Sequence, residues 1–375
     1  MNFGFTEEQE LLRDQVRKFL QKQSPLSEVR KIMDGSDDFS SELWKEMGEL
    51  GWLGLLVPEE FGGIGLGWID LVVLLEESGR VLLPSPMISH MLAVSAIVES
   101  DNQSLKERLL PEMAAGTSIG SVAILEQSNC LDLESIELKG ESHSQGFALT
   151  GEKHFVADAN AASVVVVAFK HGSGENDYSL GLIEADAEGV TVKTGLSMDQ
   201  TKADGAFYFE NANLSADNIL ASGKQAKELI QRLLDCGAVA VTAEAIGSAE
   251  AAVEITNEYA KERIQFGAPI GKYQGVKHPL AEMYVDIESF KSLLYYAAWT
   301  VNESRDELPR SISLAKAYAS DAFANIGINC IQLHGAIGYT AEYDIQLFLK
   351  RSKWMRPAFG DSTYHYDRIA TLGGV

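Results

Sequence analysis

Cysteine is scarce in this chain, and basic residues are outnumbered. Three cysteines, Cys130, Cys236 and Cys330, stand in 375 residues. Their separation of about a hundred positions suits neither a disulfide framework nor a metal knuckle, so they read as reduced, buried thiols. The seven histidines show no HExxH or other paired spacing, which argues against a catalytic metal. Against 54 Asp and Glu stand 31 Lys and Arg, a formal net charge of -23. Such a field repels phosphate backbones and anionic bilayers, so neither nucleic acid nor a membrane surface is an expected partner. An anionic ligand would need a local cluster of Lys, Arg and helix N-termini working against the global field. No apolar run of membrane-spanning length is expected. The N-terminus, MNFGFTEEQELLRDQVRKFL, has an amphipathic helical pattern rather than a basic region followed by a hydrophobic signal core. The expectation is a soluble, cytoplasmic protein.

What is present is apolar residue in quantity, 46% of the chain. That is enough for a large core, yet the length exceeds the size at which single cores stop growing, so two or three structural units are expected. From Phe5 to Ala115 the pattern is helical. Thr6 with Gln9 makes a capping box, and Leu11, Leu12, Val16, Phe19 and Leu20 recur at helical spacing. Further helices are predicted over 40–50 and 68–79. Between 116 and 221 the period changes, and β-rich runs at 121–125, 146–156, 163–169, 178–184, 190–194 and 205–209 are separated by Gly, Asn, Asp and Ser clusters. That spacing predicts a small barrel or sandwich. After Gly223 helical stretches return at 229–263, 276–304 and 309–334, Ala-rich and so buried by close neighbours, some of them in another subunit. The reading is α+β: an N-terminal helical bundle over 1–115, a middle β-barrel over 116–222 and a C-terminal four-helix bundle over 223–375.

Among the motifs, Gly62-Gly63-Ile64-Gly65-Leu66-Gly67 lacks the dinucleotide spacing and follows no strand, so it reads as a loop. Neither a Walker lysine nor a Ser-centred nucleophile elbow is present. More informative is the segment from Tyr259 to His278, YAKERIQFGAPIGKYQGVKH. A helix ends near Arg263, Gly267 and Pro269 break it, and the next helix starts after Gly271. The turn presents Arg263, Phe266 and Gln274 on one exposed corner, where Arg can pair with phosphate and the ring can cover a flat heterocycle. A C-terminal Arg also complements the helix dipole.

The run R-x-Q-F-G-x-P-I, followed by Gln, resembles a signature of the acyl-CoA dehydrogenase family. The resemblance implies that Arg263, Phe266 and Gln274 reach FAD held by a neighbouring subunit. A second block, Ile331-Gln332-Leu333-His334-Gly335-Ala336-Ile337-Gly338-Tyr339, is similar to the family's Q-x-x-G-G-x-G-[YF] segment, which implies that Gln332 and Gly335 approach the ADP half of FAD. The N-terminal landmarks agree: Thr-Glu-Glu-Gln, then Leu50-Gly-Trp52-Leu53-Gly54-Leu55, then Val57-Pro-Glu-Glu-Phe-Gly-Gly, then Glu76-Glu77-Ser-Gly-Arg80. The likeness runs from Phe5 to about Ala370. The middle segment departs from it. Where the family carries T-E-P followed by G-S-D, this chain reads Leu125-Glu126-Gln127-Ser128-Asn129-Cys130-Leu131-Asp132, and only the Glu is retained. Leu149-Thr-Gly151-Glu-Lys153-His-Phe155-Val156-Ala157 is closer to the family strand L-x-G-x-K-x-[WF]-[IV]-[TS]. It implies that Leu125 and Phe155 lie at the flavin ring and that Ala157 lacks the usual hydroxyl; ordinary core packing is the other reading of Phe155.

Dehydrogenation of an acyl thioester between Cα and Cβ needs a carboxylate to take the α proton while the β hydrogen leaves as hydride. The family supplies it from [YF]-E-G-T-x-x-[IV]-x-R. The corresponding stretch is Phe359-Gly360-Asp361-Ser362-Thr363-Tyr364-His365-Tyr366-Asp367-Arg368, and aligning Thr and Arg puts Asp361 on the Glu. Asp is one methylene shorter, so its oxygens fall short by about an ångström unless the backbone moves. A helix cap is the alternative role for Asp361, and Asp235, two residues out of register with the base of some members, is the alternative carboxylate. Thr363 and His365 fall at FAD-contacting positions. The resemblance thus implies an FAD enzyme that oxidises an acyl-CoA to a 2-enoyl-CoA and passes electrons to an electron-transfer flavoprotein, as a homodimer or tetramer. Two other readings are a non-catalytic partner subunit in a heteromer with a paralogue, suggested by the missing G-S-D loop and the F-G-D ending, which resembles that of small subunits of some bacterial heteromeric acyl-CoA dehydrogenases, and a flavin monooxygenase on the same scaffold.

Overall fold

Thr6 opens the first helix as the sequence predicts. Its hydroxyl accepts the Gln9 N–H at 3.2 Å while Gln9 Oε1 accepts the Thr6 N–H at 3.0 Å, which satisfies two orphan donors reciprocally. The computed structural model describes residues 5–375. The chain runs through α1 (Glu7–Gln23), α2 (Leu26–Met33), α3 (Ser41–Glu49), α4 (Trp68–Arg80), α5 (Met87–Glu99) and α6 (Gln103–Ala114). Strands follow: β1 (Gly120–Ala123), β2 (Lys139–His143), β3 (Gly146–Ala157), β4 (Val164–Lys170), β5 (Tyr178–Glu184), β6 (Val190–Thr194), β7 (Asp204–Ser215) and β8 (Ile219–Ser222). The chain then enters α7 (Gly223–Glu262), the short strands β9 (Ile264–Gln265) and β10 (Ala268–Pro269), α8 (Gln274–Glu303), α9 (Leu308–His334), α10 (Ile345–Met355) and α11 (Ser362–Leu372).

The predicted order of helix, strand and helix holds, with a correction in the middle. The strands form a mixed sheet in the order β6-β7-β3-β2-β4-β5-β8, with β1 parallel to β4 from Gly120↔Val164 to Ala123↔Val167. No closed barrel forms. Closure requires the two end strands to pair, and β6, five residues long, and β8, four residues long, share no ladder among the described residues. Their shortness suits them to be edges. The apolar face gathers Leu149, Val165, Val167, Phe169, Phe207, Phe209 and Leu214 into one core. The long pair β3–β7 is interrupted by register shifts at Leu149/Thr150 and Lys153/Val156, and the second of these matters below.

The described residues divide into two compact units. One holds the chain up to Asp34, Trp68–Leu83 and Ala238–Val375; the other holds Gly35–Gly67 and Pro84–Gly237. Within the first unit, α4 and α7 touch backbone to backbone. A Cβ on Gly79 would lie 2.0 Å from the Glu244 carbonyl oxygen, and one on Gly247 would lie 1.7 Å from the Glu76 carbonyl oxygen, so only glycine fits at either point. Beside this crossing runs a network of charge centred on the buried carboxylates Glu76 and Glu77. Arg13 meets Glu76 at 3.0 Å, Arg17 grips Glu77 through two bonds of 2.8 and 2.7 Å, and Arg80 pairs with Glu250 and Glu254. Burial pushes the Glu76 carboxyl up to about 7 against the pull of Arg13 and Lys291.

The forty-residue α7 corrects a second expectation, that no run would be long and apolar enough to cross a bilayer. One 18-residue window, of mean hydropathy 1.3, meets that test by length and composition, but 94% of it is buried inside the protein. It is a core helix whose small side chains allow close approach of its neighbours.

Candidate functional site

The candidate residues fall in both units. In the second unit the register shift in β3 sets the geometry. Phe155 sits in the shift with φ +53° and 55% of its surface exposed, although it belongs to a strand whose neighbours Lys153 and Val156 are buried. A left-handed conformation costs a bulky residue about 1–3 kcal/mol and persists where the surroundings impose it. Here the bulge turns an aromatic ring outward that regular alternation would place otherwise. The surroundings are stiff. Lys153, fully buried, donates to Glu126 Oε1 and to the Ile124 carbonyl, both at 2.8 Å. Glu126 accepts the Glu137 N–H on both oxygens, at 2.9 and 2.8 Å, and the Leu138 N–H at 2.9 Å. The Leu125 carbonyl takes the His154 N–H at 2.9 Å. Burial pushes the Lys153 amine down to about 8 despite Glu126. Removing either partner of such a pair strands a buried charge, at about 3–5 kcal/mol. Thus Leu125 is half-buried and tied by backbone to the segment that exposes Phe155, while the Ala157 carbonyl is taken by the Ser121 hydroxyl at 2.7 Å.

In the first unit the corner around Arg263 is a hairpin. Gln265 pairs with Ala268 and Ile264 with Pro269, leaving Phe266 and Gly267 as a two-residue loop with φ +49° and +79°. Such a loop takes positive φ at both central residues and favours Asn-Gly or Asp-Gly. A phenylalanine at its first position is locally unfavourable, and its ring is 94% exposed. The Tyr273 hydroxyl braces the turn on the Gln265 and Phe266 carbonyls at 3.2 and 3.3 Å. Arg263 and Gln274 are exposed on either side. Next to the hairpin, Lys261, Lys272 and Lys277 line a cleft of about 380 Å³ with Asn257, Pro269 and Gly271. These three lysines supply local positive charge of the kind an anionic ligand of this acidic protein requires, with Lys261 also paired to Glu258.

The segment 331–339 leaves α9 at Gly335, whose φ is +66°. A Cβ built there meets nothing within 4 Å, so its backbone lies open to a ligand. Gln332 is exposed. His334, at an unspecified position of the family pattern, turns inward and stacks on Tyr259 at 4.4 Å between ring centres, with Nδ1 2.7 Å from the Cys330 carbonyl oxygen. The departure from the pattern is Ala336 at its second glycine, and that residue is exposed.

Asp361 is exposed and is the N-cap of α11, its Oδ1 accepting the Tyr364 N–H at 2.9 Å. Thr363 is exposed in the first turn. His365 departs from its sequence-based expectation as a cofactor contact. It is buried, Nε2 donates to the Phe359 carbonyl at 3.1 Å, and Nδ1 lies 3.2 Å from Ser313 Oγ. Burial and the nearby Lys316 push it down to about 3, so it is a neutral internal strut. Asp235, the alternative carboxylate, is buried in the second unit. The residue that sequence reasoning missed is Lys316. It is fully buried on α9, with Nζ donating to Ser320 Oγ at 2.9 Å and to the carbonyls of Met355, Arg356 and Gly360 at 3.1, 3.1 and 2.8 Å. The available signal was a single lysine in the apolar run Ile312-Ser-Leu-Ala-Lys316-Ala-Tyr-Ala.

Comparison with known proteins agrees with this geometry. The family description "Acyl-CoA dehydrogenase, N-terminal domain" matches residues 6–117, and "Acyl-CoA dehydrogenase, C-terminal domain" matches 228–372. The chain is 29% identical to the probable acyl-CoA dehydrogenase YngJ of Bacillus subtilis over 98% of each chain. It superposes with TM-score 0.92 on butyryl-CoA dehydrogenase from Megasphaera elsdenii, at 24% identity over 100% of both chains. A chain from a structure described as the electron transferring flavoprotein of Acidaminococcus fermentans gives TM-score 0.93 at 25% identity over 99% of each. The flanking helical domains, the central mixed sheet and the motif segments all fit one assignment: this chain belongs to the acyl-CoA dehydrogenase family of flavin-using oxidoreductases of acyl-CoA metabolism.

Proposed function

We propose that the protein is an FAD-dependent acyl-CoA dehydrogenase that converts an acyl-CoA to a 2-enoyl-CoA, with Asp361 as the base. The observation that carries the reading is the pair of exposed phenylalanines, Phe155 and Phe266, each held out by a left-handed backbone on a family motif. Both conformations work against local preference, and an aromatic surface for a flat ring is the use that repays them. In the second unit, Phe155 and the Leu125 backbone are the residues that would contact FAD; in the first unit, Gln332, Gly335 and Thr363 are candidate FAD contacts, and Arg263, Phe266 and Gln274 would reach FAD held by a neighbouring subunit. The cleft lysines Lys261, Lys272 and Lys277 suit a pyrophosphate, and the open Gly335 backbone suits close approach of one. FAD, when bound, supplies the acceptor for the β hydride. Asp361 removes the α proton: Oδ1 is engaged by the helix N-terminus, and Oδ2, which makes no hydrogen bond among the described residues, takes the proton. The electrons pass on to an electron-transfer flavoprotein, and the active form is a homo-oligomer.

Substitution D361N tests this cleanly, because Asn caps a helix as well as Asp does. Flavin content and fold are expected to persist while flavin reduction by acyl-CoA falls by about 100- to 10,000-fold. Unchanged reduction would rule out Asp361 as the base. A second reading, the non-catalytic partner of a paralogue, is favoured by the replacement of the family's T-E-P and G-S-D loop by Leu125–Asp132 and by the Phe359-Gly360-Asp361 ending. It requires that the chain expressed alone reduce no flavin with any acyl-CoA while forming a stable complex with a Glu-bearing paralogue.

A further inference from the structure

Two consecutive peptide planes lead into Asp361, and each is gripped by a buried nitrogen. The Phe359 carbonyl accepts His365 Nε2 at 3.1 Å, and the Gly360 carbonyl accepts Lys316 Nζ at 2.8 Å. Between them the backbone takes two successive left-handed conformations, φ +55° at Phe359 and +99° at Gly360. The Gly360 carbonyl belongs to the peptide bond that ends at the Asp361 nitrogen, so its direction sets where the Asp361 Cα sits. Lys316 also binds the last carbonyls of α10, those of Met355 and Arg356, and so ties the end of one helix to the turn that starts the next. A carboxylate on a short side chain has little freedom of its own to seek its substrate, so for aspartate the backbone decides its position to within the ångström that matters.

We propose that Lys316, through its hydrogen bond to the Gly360 carbonyl, is the positioning residue that delivers the Asp361 carboxylate to the α proton. This rests on Asp361 being the base. Three carbonyls and a hydroxyl surround a group with three N–H donors, and no other side chain reaches the Gly360 carbonyl among the described residues. His365 holds the preceding plane as a neutral partner. Burial pushes the Lys316 amine down to about 7, and its N–H groups are directed at Ser320 and the three carbonyls, so the side chain acts on the turn by hydrogen bonding.

The test uses the full-length flavoprotein carrying K316M and K316Q, each alone and combined with D361N. Gln keeps two N–H donors and serves as the read-out variant if Met does not fold. Flavin reduction by saturating acyl-CoA is measured per bound flavin, together with acyl-CoA affinity and hydrogen–deuterium exchange over residues 357–365. The single variants are expected to slow reduction by about 10- to 100-fold, change affinity less than about twofold, and speed exchange in that segment. On the D361N background they are expected to slow reduction no further, because a residue that acts through Asp361 loses its effect with it. Normal reduction in K316M with faster exchange would make Lys316 merely structural and overturn the inference, as would an equal slowing on both backgrounds. If D361N itself reduces flavin normally, the base assignment falls and the positioning role falls with it. If D361N is inactive and K316M is not, only the positioning role is lost.

Discussion

At the scale of single residues, Asp361 carries two duties that can be separated. Its Oδ1 caps α11 through the Tyr364 N–H, and its charge is the proposed base. D361A should therefore lose about 1 kcal/mol of stability as well as activity, whereas D361N should lose activity alone; denaturant midpoints of the two variants check this. Glu76 gives a second prediction. Its folded value is raised from 4.5 to about 7 by burial, so the folded protein binds a proton that the unfolded chain releases. The stability it contributes is complete below about 4.5 and is lost as pH rises through about 7. The melting temperature of the wild type minus that of E76Q should shrink across that window, and a difference independent of pH would refute the assignment. The family motifs made Phe155, Phe266 and Asp361 legible in the sequence, yet not their strain. Lys316 and the Glu126–Lys153 pair were not legible as partners, because burial of a charge beside distant carbonyls depends on which helices and strands meet.

At the scale of elements, the hairpin of β9 and β10 sets local preference against function. Phe266 occupies a turn position that Asn would fill better. F266N is expected to leave stability unchanged or slightly improved while weakening FAD affinity by about fivefold, the equivalent of about 1 kcal/mol of lost ring contact. Equal flavin affinities would mean that the ring has another use. Elements with an intact apolar period were readable: α1 with its capping box, α4, and β5 and β6 to the residue. β2 was not, because Lys139–His143 reads Lys-Gly-Glu-Ser-His and carries no apolar alternation; it pairs by backbone alone. β8 (Ile219–Ser222) was not read at all. Barrel closure was misjudged because strand count and spacing do not say whether the end strands meet.

At the scale of the whole molecule, the succession of helical, sheet and helical segments followed from periodicity, while the division into two compact units did not, since each unit is assembled from separated stretches of chain. The backbone crossing of α4 and α7 holds one of these units together. G247A puts a methyl group within 1.7 Å of the Glu76 carbonyl oxygen, and a helix backbone cannot yield as a side-chain tip can. Loss of at least about 3 kcal/mol is expected, visible as a lowered melting temperature with flavin-free protein; a wild-type melting curve would show that the helices can separate at no cost. The chain passes from one unit to the other at 34/35, 67/68, 83/84 and 237/238. No uninterrupted gene fragment encodes either unit, so a chimera made with a relative by a single recombination event inherits at least one unit built from two parents.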